Sequence, residues 1–199
     1  MSEHALDIAD DLDGVSNVLL MEDGSASANE RVHEALLSGL DSEAADVLVV
    51  TFAGADTWLD AWEDSVSTES AHLGLVQLTE NDVDEGRRGG AYVRSVDPTD
   101  LTGLGMAVRD FFDGVGSRSN PTVVCFDSVS ELTAYHDVRT LFRFLRVVTQ
   151  QINQADAVGH FHLNPVAHDD QSLARLTPPF DAAVEYSEGG EQVSVSRTH

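Results

Sequence analysis

The sequence predicts a three-layer α/β protein in which a mostly parallel sheet lies between helices. Short apolar runs without polar alternation recur along the chain, and amphipathic helical segments separate them. Continuously apolar strands are typical of parallel sheets that are covered on both faces. A polar turn between the last two strand-like runs predicts an antiparallel hairpin at the C-terminal end.

The elements follow in order along the chain. Apolar runs predict strands at 17–21, 46–52, 72–78, 91–96, 122–127, 157–163, 181–186 and 192–196. Helical spacing predicts helices at about 30–40, around Trp58 and Trp62, after a capping Asp100, over about 130–153 and near 169–176. The glycine-rich stretch 79–90 is expected to be a loop. Residues 1–14 are expected to form an acidic arm, and residues 15–199 a single domain.

The charge of the chain points to its solvent. Its 199 residues include 35 Asp+Glu and 11 Lys+Arg, a net charge of -24, and all basic residues are arginine. The acids are spread along the chain, and in several-molar salt the Debye length falls below about 3 Å, which screens their repulsion. We therefore expect a halophilic, cytoplasmic protein. Nucleic acid is not an expected partner, and no apolar run approaches the roughly 18 residues that membrane insertion requires.

The first predicted strand leads into a loop of small and polar residues at 22–29 and then into a predicted helix. A Val-Val-Cys-Phe-Asp-Ser segment at 123–128 and a His-Phe-His-Leu-Asn-Pro run at 160–165 come later. This order resembles the RecA/KaiC-like ATPase superfamily, in particular its degenerate haloarchaeal members, over the chain after residue 15. The resemblance implies a RecA/KaiC-like P-loop fold, a regulatory setting and a Walker B position at Asp127.

The loop departs from the phosphate-binding pattern G-x-x-x-x-G-K-[ST] at each defining place. The glycines are replaced by Glu22 and Ser27, the lysine by Ala28, and the Ser/Thr by Asn29. Glu22 and Asp23 also add negative charge where phosphates would lie. We interpret Asp127 as a relic acid that caps the next helix. The sequence therefore predicts a pseudo-ATPase with no catalytic residue and no cofactor.

The expected function is that of a non-catalytic regulatory or scaffold protein that acts through protein–protein interaction. One alternative is an atypical nucleotide-binding ATPase that uses Asp127 and magnesium without a loop lysine. Another is a receiver-like phospho-acceptor module with Glu22 and Asp23 as metal-binding acids, although the chain has no late-strand lysine.

Three arginines, Arg139, Arg143 and Arg146, share one face of the long predicted helix, opposite its apolar face. In so acidic a chain, this stripe is a candidate docking surface for an acidic partner, a second copy of the chain included. The alternative is a solvated face paired with local acids, since such surface pairs contribute little.

Two histidines, His160 and His162, alternate along a predicted strand and therefore share a face. We interpret them as polar lining and expect no metal site; the alternative is a site completed by Asp127 or Asp169. Cys125 is expected to be a small buried apolar residue. The Arg87-Arg88 stretch of the glycine-rich loop is expected to be an exposed turn, with phosphate contact as its alternative.

Overall fold

The structure, a computed structural model, describes residue 12 and residues 14–22, 45–59, 72–81, 84–116, 120–186 and 193–198. The predicted helix at 30–40 and Trp62 lie outside the described residues, as does most of the predicted acidic arm. Within that arm, Leu12 is buried and packs with Val18 and Leu20.

Nine strands of the described chain form one sheet. They are β1 (Asn17–Met21), β2 (Asp46–Thr51), β3 (Leu73–Leu78), β4 (Gly86–Arg88), β5 (Ala91–Val96), β6 (Thr122–Asp127), β7 (Val158–Leu163), β8 (Ala182–Tyr186) and β9 (Val193–Arg197). Their order is β4-β5-β3-β2-β6-β7-β1-β8-β9, with antiparallel pairing only of β4 to β5 and of β8 to β9. The predicted mostly parallel sheet and its C-terminal hairpin are confirmed.

The helices each begin at a side chain that accepts a backbone N–H of the first turn. They are α1 (Leu101–Val115), α2 (Val129–Leu132), α3 (Val138–Gln154) and α4 (Asp170–Leu176), with a 3-10 turn at Pro165–Ala167 and further helical residues at 55–59. The caps are Asp100, Ser128, Asp137 and Asp169. The predicted cap at Asp100 is thus confirmed.

The single helix expected over about 130–153 is wrong, because the chain divides it into α2 and α3. Asp137 starts α3 by accepting the Thr140 N–H at 2.9 Å. The His136 Nε2 lies 2.8 Å from the carbonyl oxygen of Pro98 and fixes the intervening turn. Tyr135, which falls within the predicted helix, therefore precedes α3 and is 39% exposed.

The loop expected at 79–90 contains the edge strand β4, which pairs with β5. Its arginines lack the apolar pattern by which the other strands were identified. Gly89 and Gly90 have φ values of 54° and 84°, so both occupy the left-handed region that a tight hairpin turn needs. The Arg87 Nη2 donates to the Gly90 carbonyl, and Arg88 pairs with Asp56. The exposed turn is therefore limited to Gly89 and Gly90, whereas Arg87 and Arg88 lie in β4.

The two faces of the sheet have different cores. Helices α1 to α4 cover the first face, around Phe126, Phe161 and Leu145. The second face carries one cluster around Val49 and Cys125, packed by residues 55–59, and another around Val18 and Leu20. None of the helices in the described ranges combines the length and the apolar character needed to cross a membrane.

Candidate functional site

The site expected from the sequence lies where β6, β7 and β1 end side by side. Glu22 directly follows β1, Asp127 ends β6 and Asn164 follows β7. The Glu22 N–H donates to the carbonyl oxygen of Leu163 at 2.9 Å, which extends the pairing of β1 with β7 by one residue. In open parallel sheets, this carboxyl edge is where ligands bind.

The side chain of Glu22 contacts a histidine of the sheet. Its Oε1 lies 2.7 Å from the Nδ1 of His162, and the two side chains are 12% and 6% exposed. Burial lowers the pKa of His162, but hydrogen bonds with Cys125 and Glu22 outweigh burial and raise that pKa to about 10. The acid at the first position of the predicted loop is therefore engaged in a buried charge-assisted contact.

Asp127 lies near this pair without capping a helix. Burial raises the pKa of its carboxyl group, the charge of His162 lowers it, and the charge of Glu22 raises it further. Its peptide bond to Ser128 is cis. The cap of α2 is Ser128, whose hydroxyl oxygen accepts the Glu131 N–H at 3.3 Å, so the interpretation of Asp127 as a helix cap is wrong.

A cysteine and two histidines meet on the second face of the sheet. Register pairs Cys125 with His160, and His162 follows two residues later on the same side. The Cys125 Sγ lies 3.6 Å from the His162 Nε2, and the two imidazole centroids are 5.5 Å apart. All three residues are buried, and burial raises the pKa of the Cys125 thiol.

The cysteine is therefore buried as predicted, but it contacts a histidine instead of serving only as an apolar residue. The shared face of His160 and His162 is confirmed. The sequence did not predict that Cys125 lies beside these two histidines, because that prediction requires the register of β6 against β7. Asp169, the acid considered as a further ligand, is exposed and caps α4.

The loop after β7 is held against α2 by a second histidine contact. The Ser130 Oγ lies 2.8 Å from the His168 Nε2 and accepts the Asn164 N–H at 2.8 Å. Burial lowers the pKa of His168 below its ordinary value, and the charge of Asp169 offsets only a part of that shift. This network fixes the backbone beside the site. The predicted loop residues Asp23, Ser27, Ala28 and Asn29 lie outside the described residues.

The arginine stripe lies on the exposed side of α3, as predicted. Arg139, Arg143 and Arg146 are all exposed, and none has a salt-bridge partner within the described ranges. The Arg146 guanidinium lies 5.9 Å from the ring centroid of Phe142. Val147 beside it is 52% exposed. The stripe thus combines cations with accessible apolar surface.

A groove between α3 and α4 continues this surface. Its volume is about 480 Å³, and its lining is mostly apolar except for two arginines. The lining residues are Val138, Arg139, Phe142, Ala174, Arg175 and Pro178. The arginine stripe and the groove together form what we call the α3 surface.

Comparison with known proteins places the chain by family and by fold. The model of a family described as "Family of unknown function (DUF7504)" matches residues 15–186. No curated protein matches the sequence.

Three solved archaeal structures are similar to the chain. They are PH0250 from Pyrococcus horikoshii OT3 (TM-score 0.57, 9% identity, 93% of this chain and 87% of that one), the flagellar accessory protein FlaH from Methanocaldococcus jannaschii (0.55, 14%, 92% and 78%), and PH0321 from Pyrococcus horikoshii, solved with an unknown peptide (0.58, 13%, 90% and 81%). At these identities the likeness concerns the fold alone, and it confirms the predicted RecA/KaiC-like α/β architecture.

Proposed function

We propose that this chain, which belongs to the DUF7504 family of unknown function, is a non-catalytic regulatory or scaffold protein. It would be a pseudo-ATPase of haloarchaeal type. In this role the protein keeps a RecA/KaiC-like fold and acts by binding protein partners. One observation carries the proposal. Glu22, at the position of the first glycine of a phosphate loop, holds its carboxylate 2.7 Å from the His162 Nδ1.

A phosphate loop binds nucleotide through backbone N–H groups, a lysine ammonium and a hydroxyl that holds magnesium. The chain contains no lysine, and its described residues at this edge add the carboxylates of Glu22 and Asp127. Two unit charges 4 Å apart interact by about 4 kcal/mol at an effective dielectric constant near 20. An ionised Asp127 would oppose a triphosphate by an amount of this order, and Glu22, whose carboxylate is already paired with His162, offers no donor to a phosphate oxygen. These residues therefore do not suit a magnesium nucleotide.

The α3 surface supports the second half of the proposal, namely protein binding. Its arginines are exposed cations in a chain of net charge -24, so an acidic protein surface complements them. High salt weakens long-range attraction, but guanidinium–carboxylate contacts at short range and the apolar area of Phe142 and Val147 remain available. A second copy of the chain is itself acidic and is the first partner to test.

A calorimetric titration with magnesium ATP tests the loss of nucleotide binding. In molar potassium chloride, we expect no saturable heat from the unmodified chain. The alternative of an atypical ATPase predicts saturable binding that Asp127→Asn abolishes. Such a result would overturn the pseudo-ATPase assignment.

Charge reversal tests the α3 surface. We expect Arg139→Glu with Arg143→Glu, and more strongly with Arg146→Glu added, to lower the mass measured by light scattering in molar potassium chloride. The control, Arg87→Glu with Arg109→Glu, changes the net charge as much as the first pair but lies off α3. An unmodified chain that is monomeric excludes self-association. If the unmodified chain captures an acidic protein and the charge-reversed chain captures it equally well, this result would contradict the docking surface itself.

A further inference from the structure

We propose that Cys125, His160 and His162 bind a zinc-like divalent cation on the second face of the sheet. Their potential ligand atoms all lie within 4.8 Å of one another, and the three residues are 3%, 4% and 5% exposed. This inference goes beyond the proposed protein-binding role, because it concerns a different ligand and a different part of the molecule.

The fold itself brings the three residues together. Cys125 lies in β6 directly opposite His160 in β7, and paired residues of parallel strands project to the same face. His162 lies two residues beyond His160 and so returns to that face. The neighbouring positions on β1 are the apolar Val18 and Leu20, which pair with His160 and His162. The cluster therefore consists of buried polar side chains whose neighbours on β1 are apolar.

The distance between sulfur and nitrogen suits a shared metal ion. With a Zn–S bond of 2.3 Å and a Zn–N bond of 2.0–2.1 Å, tetrahedral geometry separates the two ligand atoms by about 3.6 Å. The Cys125 Sγ and His162 Nε2 lie 3.6 Å apart. The remaining separations, at most 4.8 Å, exceed the tetrahedral sulfur–nitrogen value by up to about 1.2 Å, so metal binding requires the His160 side chain to move toward the other two ligands.

Glu22 completes the arrangement from outside. Its carboxylate lies at the His162 Nδ1 and leaves the Nε2 directed toward Cys125. A carboxylate at the far nitrogen of a metal-bound histidine orients the ring and strengthens it as a ligand. The side chain that replaces the phosphate-loop glycine is therefore, in this proposal, a positioning residue for the metal site.

The ligand set defines the class of cation. A thiolate and two imidazoles favour zinc and its borderline-soft neighbours over magnesium or calcium, which prefer oxygen. On binding, the sulfur and the two ring nitrogens each donate an electron pair to the ion. The thiol proton of Cys125 and any proton on the ligating ring nitrogens leave to solvent. Three protein ligands leave one tetrahedral position for water or a small ligand.

Cobalt(II) serves as the spectroscopic probe. The full chain is refolded in molar potassium chloride with and without Co²⁺, because the buried cluster could otherwise be slow to load. We expect one Co²⁺ per chain, intense visible bands of a tetrahedral ion and a near-ultraviolet charge-transfer band from a thiolate. Stoichiometric Zn²⁺ should displace it and abolish these bands.

Variants assign the ligands. Cys125→Ser should abolish the charge-transfer band, and His160→Gln should weaken the tetrahedral bands. His168→Gln, a histidine outside the cluster, should leave both unchanged. Glu22→Gln should keep the bands while weakening Zn²⁺ binding about 10-fold or more.

Three results would overturn the site. They are no bound Co²⁺ or Zn²⁺ in the refolded unmodified chain, weak octahedral bands without charge transfer, and binding that survives Cys125→Ser. The first two come from the unmodified chain, so a variant that fails to fold does not decide the matter. The magnesium ATP titration reads a separate property, so either proposal can fail alone.

Discussion

The contact between Glu22 and His162 can be tested by removing its carboxylate. Glu22→Ala deletes the acceptor that lies 2.7 Å from the His162 Nδ1. Glu22→Gln has nearly the same shape and keeps an oxygen that can accept from that nitrogen. The two substitutions remove the same charge, so their difference reports the hydrogen bond together with the packing of the side chain.

The expected magnitude follows from burial. With side chains only 12% and 6% exposed, loss of the acceptor costs about 1–3 kcal/mol for a neutral imidazole and about 3–5 kcal/mol for a charged one. Relief of the repulsion between Glu22 and Asp127 offsets a part of this loss. We therefore expect Glu22→Ala to lower the free energy of unfolding by about 3 kcal/mol, and Glu22→Gln by about 1 kcal/mol.

The assay is urea unfolding at constant molar potassium chloride with a chelator present, so that metal binding does not contribute. A loss of about 3 kcal/mol also corresponds to a fall in Tm of about 6–12 °C for a chain of this size. Glu80→Ala removes an equal charge from an exposed position and should change stability by less than about 0.5 kcal/mol. If Glu22→Ala and Glu22→Gln both behave like Glu80→Ala, the carboxylate does not make the buried contact.

Two further predictions concern packing and pH. Gly74→Ala should lower the free energy of unfolding in urea by about 1–3 kcal/mol, because its Cβ would lie 2.7 Å from the Phe111 ring. The control Gly105→Ala, whose Cβ has no neighbour nearer than 3.9 Å, should stabilise α1 by about 0.5–1 kcal/mol. Equal effects of the two substitutions would contradict the packing of α1 on β3. Hydrogen bonds from the first turn of α3 hold the pKa of Asp137 below its ordinary value, so its contribution is present above the unfolded pKa and is lost as the pH falls through the lowered one. Thermal unfolding at constant salt should therefore show a smaller acid loss in Asp137→Asn than in the unmodified chain, and an identical pH profile would refute this cap.

The strands could be predicted because buried parallel strands are continuous apolar runs. The run at 122–127 coincides with β6, and the runs near β2, β3 and β7 differ from the observed strands by one residue at one end. The edge strand β4 could not be found in this way, since Gly86–Arg88 carries no apolar residue. Its pairing depends on the turn at Gly89 and Gly90. These two glycines are evident in the sequence, but they predict a loop and not the strand beside it.

The candidate site was only partly predictable for a related reason. Alternation within one strand placed His160 and His162 on one face, since that is a local property of the chain. The addition of Cys125 depends on which strand lies beside β7 and in which register, and both are tertiary facts. The contact of Glu22 with His162 likewise follows from the adjacency of β1 and β7. From the sequence alone, Glu22 was identified only as a negative charge that opposes phosphate binding.

The two proposed sites lie on opposite faces of the sheet, and this separates their tests. Helix α3 packs on the face that carries Phe126 and Phe161, whereas Cys125 and His160 project from the other. Residues that share no partners contribute nearly additively to stability and binding. A charge reversal on α3 should therefore leave the cobalt spectrum intact, and Cys125→Ser should leave the mass of the assembly unchanged. A single substitution that abolished both properties would indicate loss of the intervening sheet, because the sheet lies between the two sites.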